Sequence, residues 1–235
     1  MKKLKSSEEL NLYRGQCAEE LGAQPIKILV CAGTGCMAGG SLQIYEKLIE
    51  LSQKYGKLVQ VSLEKHVEHP DIGIKKSGCN GFCELGPLVR IEPMNWLYTK
   101  VNLEDCEEIV EKSLLRGELI ERLVYDQNPA YAVQEEIPFY KKQNRVVLAN
   151  CGHIDAEDIG EYIAKGGYVG LQKALFSMTD EEIINEMKIS GLRGKGGGGF
   201  PTWRKWEQVR AHKGEDRYVI CNGDEGDPGA FMDRS

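Results

Sequence analysis

Four of the eight cysteines in this 235-residue chain fall into two pairs. Cys31 and Cys36 enclose four residues, Cys79 and Cys83 enclose three, and 42 residues lie between the pairs. Both pairs sit in glycine-bearing segments, Cys31-Ala32-Gly33-Thr34-Gly35-Cys36-Met37-Ala38-Gly39-Gly40 and Cys79-Asn80-Gly81-Phe82-Cys83-Glu84-Leu85-Gly86-Pro87. A cluster of two irons and two sulfides asks for two thiolates on each tetrahedral iron. Two flexible loops that each present two sulfurs meet that demand. Their glycines let the backbone pack close, and their N–H groups can point at anionic sulfides. A structural zinc site with four cysteine ligands accepts the same spacings, and unligated thiols are the plain alternative. Burial after a core strand would account for Cys31, but not for Cys36 or Cys83 in open glycine turns. Cys17, Cys106, Cys151 and Cys221 stand alone; Cys17 and Cys106 fall on apolar helix faces, where a free Cys behaves as a small hydrophobe.

A second segment, Gly191-Leu192-Arg193-Gly194-Lys195-Gly196-Gly197-Gly198-Gly199-Phe200-Pro201, satisfies G-x-G-x-x-G at Gly194, Gly196 and Gly199. A dinucleotide fingerprint needs a strand before the loop, and here a helix precedes it; no Gly-Lys-Ser/Thr closes it as a P-loop either. What remains is a run of bare backbone N–H groups opening onto a helix N-terminus, suited to a phosphate or a flat ring. The alternative is a flexible surface loop. Further on, Asn222, Asp224, Glu225 and Asp227 follow a predicted strand end, where ligands of α/β sheets bind. Carboxylates repel phosphate, so these would accept hydrogen bonds from ribityl or ribose hydroxyls, or else form a solvated turn.

The elements that must hold these groups are legible as periodicities. Residues 7–24 read as a helix with Leu10, Tyr13, Cys17 and Leu21 on one stripe, and residues 26–30 as a strand. A helix is predicted from Ser41 to Gly56, followed by a strand over Val59, Val61 and Leu63. Residues 64–78 read as polar loop, then 88–91 and 96–101 as a hairpin. A closing helix is capped by Asn102 and ended by Gly117. The order is βαβ–ββα. Residues 118–145 carry Pro129, Pro138 and no strong period, and are expected to be a linker. Residues 146–148 open a second unit with short helices over 155–165 and 170–176. Thr179 and Glu182 form a capping box, a helix runs from Pro201 or Thr202 to Gly214, and a strand covers 217–221. The expected organisation is a helical segment 1–24, a cluster domain 25–117, a linker 118–145 and a flavin-domain portion 146–235.

Hydrophobic residues make up 41% and charged residues 28% of the chain, the balance of a soluble globular protein. The net charge of −6 argues against nucleic acid as a partner. No apolar run approaches the ~18 residues of a membrane span, so no direct membrane insertion is expected. The first residues show no secretory pattern. A cytoplasmic location is expected, where clustered cysteines indicate metal or redox chemistry before disulfides.

On its Cys-x4-Cys and Cys79-Asn80-Gly81-Phe82-Cys83-Glu84-Leu85-Gly86-Pro87 segments, the stretch from about 25 to 117 resembles the thioredoxin-like [2Fe–2S] ferredoxin family. The resemblance implies that Cys31, Cys36, Cys79 and Cys83 hold the cluster. Residues 145–235 resemble the flavin- and NADH-binding subunit of complex I and its relatives in soluble hydrogenases and formate dehydrogenases. That likeness rests on Asn150-Cys151-Gly152-His153-Ile154-Asp155, the stretch from Gly191 to Lys205-Trp206, and that from Cys221 to Arg234. It implies FMN on Gly194, Gly196, Lys205, Asn222, Asp224 and Glu225, and the nicotinamide nucleotide, NAD(H) or NADP(H), beside Phe200 and Asp227 with Lys195 nearby. Lys195 stands where the family usually has Arg, and Asp227 where it often has Glu. Lys195 keeps the charge and loses the guanidinium fork.

The fusion of the two parts most resembles the diaphorase (beta) subunit of NAD(P)-linked, including electron-bifurcating, iron-only hydrogenases. This implies an α/β protein working as an oxidoreductase with other iron–sulfur subunits of a multi-subunit complex as partners. The family's [4Fe–4S] site lies in a C-terminal part beyond these residues, and the chain reads as a fragment that ends inside a domain. Two other classes remain open on the residues alone: an electron-carrier or docking module without flavin chemistry, and a zinc-stabilised interaction domain.

Overall fold

A computed structural model describes residues 3–214, 216, 218–222, 224 and 226. Its centre is a mixed five-stranded sheet. The aliphatic run of β1 (Ile26–Cys31) lies between β3 (Ile72–Ser77), which is parallel to it, and β4 (Val89–Glu92), which is antiparallel. The short β2 (Val59–Gln60) edges β3, and β5 (Trp96–Tyr98) edges β4, giving the order β2-β3-β1-β4-β5. The expected α/β class holds, with one correction to the strand list. The predicted strand over Val59, Val61 and Leu63 shrinks to two residues, and the inner strand is β3, within what read as polar loop.

One face of the sheet is apolar. Ile28, Val30, Ile72, Ile74, Val89 and Ile91 pack beneath α3 (Ser41–Lys54), whose Ile44, Leu48 and Leu51 recur at helical spacing. Gly40, at φ +93°, makes the left-handed turn into α3 after the short α2 (Thr34–Ala38). The closing helix covers the same face as α4 (Asp105–Glu108) and a π-helical continuation over Ile109–Leu114. It starts later than expected: Asn102 is not its cap, and instead donates its backbone N–H to the Asp105 carboxylate at 2.8 Å.

The other face carries Lys75 and Arg90, both buried. Residues 134–135 reach Arg90 there and a later helix reaches Lys75, while α1 (Ser7–Gly22) packs on that helix. Residues 118–145, expected as a linker, instead contribute Ile120, Leu123, Val124, Ile137 and Tyr140 to the buried core. They do so through tight turns, a two-strand ladder of β6 (Tyr125–Asp126) and β7 (Ala130–Tyr131), and α5 (Pro138–Lys141). Arg90 donates to Gln134, to Asn95 at 2.9 Å and to Glu135 at 3.0 Å.

Residues 146–148 form no strand, and Val146 and Val147 are exposed. The next helix, α6 (Ile159–Ala164), packs against α1. Its cap Asp158 accepts from the backbone of Gly160 at 2.9 Å and of Leu63 at 2.7 Å. Glu161 forms a fully buried ion pair with Lys75 and accepts the Asp155 N–H at 3.0 Å. Residues 150–165 are thus part of the sheet's second cover, although the sequence suggests a boundary before them.

Beyond this point α7 (Val169–Ser177), α8 (Asp180–Ile189) and α9 (Thr202–Ala211) bury no residue. The Thr179–Glu182 capping box forms as expected. The predicted strand at 217–221 is not seen among the described residues, where Tyr218, Val219 and Ile220 are exposed and pair with nothing; Arg217 lies outside the described residues. A strand requires a neighbour to satisfy its ladder. No helix among the described residues is long and apolar enough to cross a membrane.

Candidate metal centre and glycine loop

Parallel pairing of β1 and β3 delivers both cysteine loops to one end of the sheet. Cys31 is the last residue of β1, opposite Ser77, and Cys79 follows two residues later. Backbone bonds from Cys31 N–H to Leu88 (3.0 Å) and from Ala32 N–H to Ser77 (2.9 Å) tie the loops together. Cys36 rides on α2 and is buried, and Cys83 opens a 3-10 turn and is exposed.

The sulfurs form a chain. The thiols of Cys36 and Cys79 act on that of Cys31, which faces the Gly78 carbonyl at 3.9 Å, and Cys79 Sγ stands 3.9 Å from Cys83 Sγ. Two thiolates on one tetrahedral metal, with bonds of about 2.3 Å, stand about 3.8 Å apart. Four thiols, two from each loop, are the number that a two-iron group or a single zinc would take.

Electrostatics at the site favour anionic sulfur at Cys31 and oppose it at Cys36 and Cys79. The thiols of Cys36 and Cys79, followed by backbone N–H groups of Asn80 and Gly33, hold Cys31 well below the usual thiol range, at about 2, against the effect of burial. The same contact with Cys31, and burial after it, pushes Cys36 and Cys79 up. Backbone donors reach these two as well: Leu88 to Cys36, and Gly81 N–H to Cys79 Sγ at 3.3 Å. Donors fixed in the backbone stabilise thiolates without conformational rearrangement.

Two glycines are required by packing at this centre, and a third is closely approached. A Cβ on Gly86 would stand 2.6 Å from Cys36 Sγ, and one on Gly33 2.9 Å from Cys79 Cβ. One on Gly35 would lie 3.2 Å from Cys83 Cβ. Cys17 and Cys106 are buried, and burial raises both thiols, as their apolar reading requires.

An aromatic cap that sequence reasoning missed lies over the second cysteine loop. Phe82 stacks on Phe139 at 4.7 Å and meets the edge of Tyr140 at 5.5 Å, with Tyr125 at 5.4 Å. Arg145 lies over the Tyr140 ring at 5.1 Å and donates to the Asn80 carbonyl at 2.6 Å. The only signal was the density of aromatics in residues 118–145, a stretch without period.

The glycine segment closes on itself at the start of α9. Gly194 N–H donates to Phe200 O at 2.9 Å, Thr202 N–H to Leu192 O at 3.1 Å, and Arg193 to Gly199 O at 3.2 Å. Gly194, Lys195 and Gly196 are exposed, and the Lys205 ammonium lies 5.8 Å from the Phe200 ring centre. Asn222 and Asp224 are joined in an Asx turn, Asp224 N–H to Asn222 Oδ1 at 3.0 Å. Among the described residues no hydrogen bond or ion pair links that turn to the glycine loop. Glu225 and Asp227 lie outside the described residues.

Here the molecule can be set beside known proteins. Its class is an α/β protein with a thiol-lined sheet end, followed by a segment, residues 187–235, that matches the Nuo51 FMN-binding domain. Among individual proteins, it is similar to the NADP-reducing hydrogenase subunit HndC of Solidesulfovibrio fructosivorans, with 53% identity over 95 residues, 40% of this chain and 19% of that one. An NADH-quinone oxidoreductase subunit of Rhizobium meliloti is 47% identical over 89 residues, 38% of this chain and 21% of its own. The match thus spans about a fifth of each relative's length. Among solved structures, the thioredoxin-like [2Fe–2S] ferredoxin of Aquifex aeolicus aligns with 44% of this chain and 99% of its own, at 27% identity and a TM-score of 0.35.

Proposed function

We propose that this chain moves electrons between NAD(P)H, FMN and iron–sulfur centres, as an oxidoreductase subunit of a soluble NAD(P)-linked hydrogenase or related NADH dehydrogenase in the cytoplasm. Cys31, Cys36, Cys79 and Cys83 would hold a [2Fe–2S] cluster. Gly194, Lys195, Gly196, Phe200, Lys205, Asn222, Asp224, Glu225 and Asp227 would border FMN and the nicotinamide nucleotide. When bound, these groups supply the conversion between a hydride pair and single electrons. The chain's own part is to hold them: backbone N–H groups at sulfur, a side-chain-free loop for a flat ring, and no acid or base of its own. The observation that carries the reading is the chain of four thiols with backbone donors in the same polypeptide as a flavin-type segment. Other iron–sulfur subunits would be its partners.

A second reading, an electron carrier without flavin chemistry, is favoured by the exposure of the glycine loop, which among the described residues shares no hydrogen bond or ion pair with Asn222 or Asp224. The deciding experiment is a visible spectrum of the anaerobically purified chain, with iron and sulfide content, before and after dithionite. Charge-transfer bands that bleach on reduction support the cluster, and an added flavin contribution supports the full reading. Bands without flavin, even after FMN is supplied, leave the carrier. Colourless, folded protein with zinc and no sulfide overturns both.

A further inference from the structure

Tyr140 is 8% exposed, and its hydroxyl oxygen is buried without a hydrogen-bond partner among the described residues. A buried O–H left unpaired costs about 1–3 kcal/mol, so such a group calls for an acceptor that the described residues do not supply. The ring is fixed on several sides, by Phe82 at 5.5 Å, Phe139 at 5.1 Å and the Arg145 guanidinium at 5.1 Å. It packs in the same buried cluster as Cys31 and Cys36. Burial is the main cause that raises its phenol, and Arg145 opposes it. The ring is therefore held in the buried cluster that also contains Cys31 and Cys36.

We propose that Tyr140 is a positioning residue whose O–H donates a hydrogen bond to a sulfur of the cluster held by Cys31, Cys36, Cys79 and Cys83, favouring its reduced state. The inference rests on the cluster reading above. Reduction adds negative charge to the sulfurs, and a fixed donor stabilises the more anionic form more strongly. The donor comes from residues 118–145, outside the stretch that resembles the ferredoxin family, so it would set this chain's potential apart from that of a domain ending near residue 117.

The test uses the full chain reconstituted anaerobically with iron and sulfide, in three variants: Tyr140→Phe, 3-fluorotyrosine at position 140, and Phe139→Leu. The Tyr140→Phe change is expected to lower the reduced-to-oxidised ratio at fixed potential about tenfold, which is about 59 mV for a one-electron couple. The more acidic fluorotyrosine should move the ratio the opposite way. Part of the shift of the Fe–S stretching bands in D2O should disappear in Tyr140→Phe alone. Phe139→Leu, which removes ring packing but keeps the hydroxyl, should leave the ratio in place. If Tyr140→Phe loses its cluster, the fluorotyrosine chain still decides by the sign of its shift. An unmoved ratio in both Tyr140 variants, or an equal shift in Phe139→Leu, overturns the proposal. Absence of charge-transfer bands in the unmodified chain is a separate failure, that of the cluster reading itself.

Discussion

The two candidate sites are both built from glycines and backbone N–H groups, yet they stand in opposite structural circumstances. At the thiol end of the sheet, three of the four cysteines are buried, and Gly33, Gly35 and Gly86 touch sulfur-bearing side chains. In the glycine loop, a Cβ on Gly196, Gly197, Gly198 or Gly199 would meet nothing within 4 Å. The first set of glycines exists because space is absent, and the second leaves the backbone bare for something to lie on. Identical residue types thus encode packing in one region and access in the other, and substitution tells the two apart.

The largest contrast is expected at cysteine. Cys79→Ala should remove the visible chromophore and at least tenfold of the bound sulfide, since a two-iron cluster needs all four thiolates. Cys221→Ala, in the exposed region, should leave both unchanged; equal loss in the two variants, by sulfide assay, would erase the distinction. Next come the ion pairs. Glu161→Ala strands the buried Lys75 ammonium, which burial already pulls down to about 8, and should cost about 3–5 kcal/mol in urea unfolding. Glu181→Ala removes an exposed partner of Arg210 and should cost no more than about 1 kcal/mol.

Glycine gives the next step down. Gly86→Ala should destabilise by about 1–3 kcal/mol through the clash with Cys36. Gly196→Ala should stay within about 0.5 kcal/mol, its effect showing only in an FMN titration, where we expect weak binding by this chain. The smallest effect belongs to pH. The His153 imidazole 3.9 Å away, with Arg90 and Lys27 nearby, holds the Glu92 carboxyl below its ordinary 4.5. The folded state then binds fewer protons, so this stabilisation is present above the unfolded pKa and fades as pH falls through the folded value. In His153→Ala the loss of stability on acidification should be shallower, by less than about 1 kcal/mol.

The cysteine spacing, the glycine turns, β1, α3 and the hairpin were legible in the residues because local periodicity and turn chemistry encode them. β3 was not, because Lys75 and Lys76 make it look solvated. Its burial depends on Glu161, which lies 86 residues away in sequence, a pairing no local window contains. The same disguise hides the sheet's second face, where Arg90 is neutralised by Glu135 and hydrogen-bonded by Gln134. Residues 118–145 carried no period because they wrap the domain in single turns, each burying one or two side chains. Tyr140 could not have been singled out, since its significance lies in a missing partner, which only coordinates reveal. The glycine loop was readable as a loop, but its relation to Asn222 and Asp224 is a matter of tertiary placement.

The parallel register of β1 with β3 has a consequence for how the protein matures. The two cysteine pairs are brought together by a long-range pairing, Cys31 opposite Ser77, of the kind that forms late because its loop entropy must be met first. Side chains alternate across a strand, so a slip of one residue would turn Cys31 to the wrong face. A chain that has collapsed in a shifted alignment then offers iron only half a coordination set. Colour in the purified protein would therefore be a gauge of strand alignment as much as of metal supply.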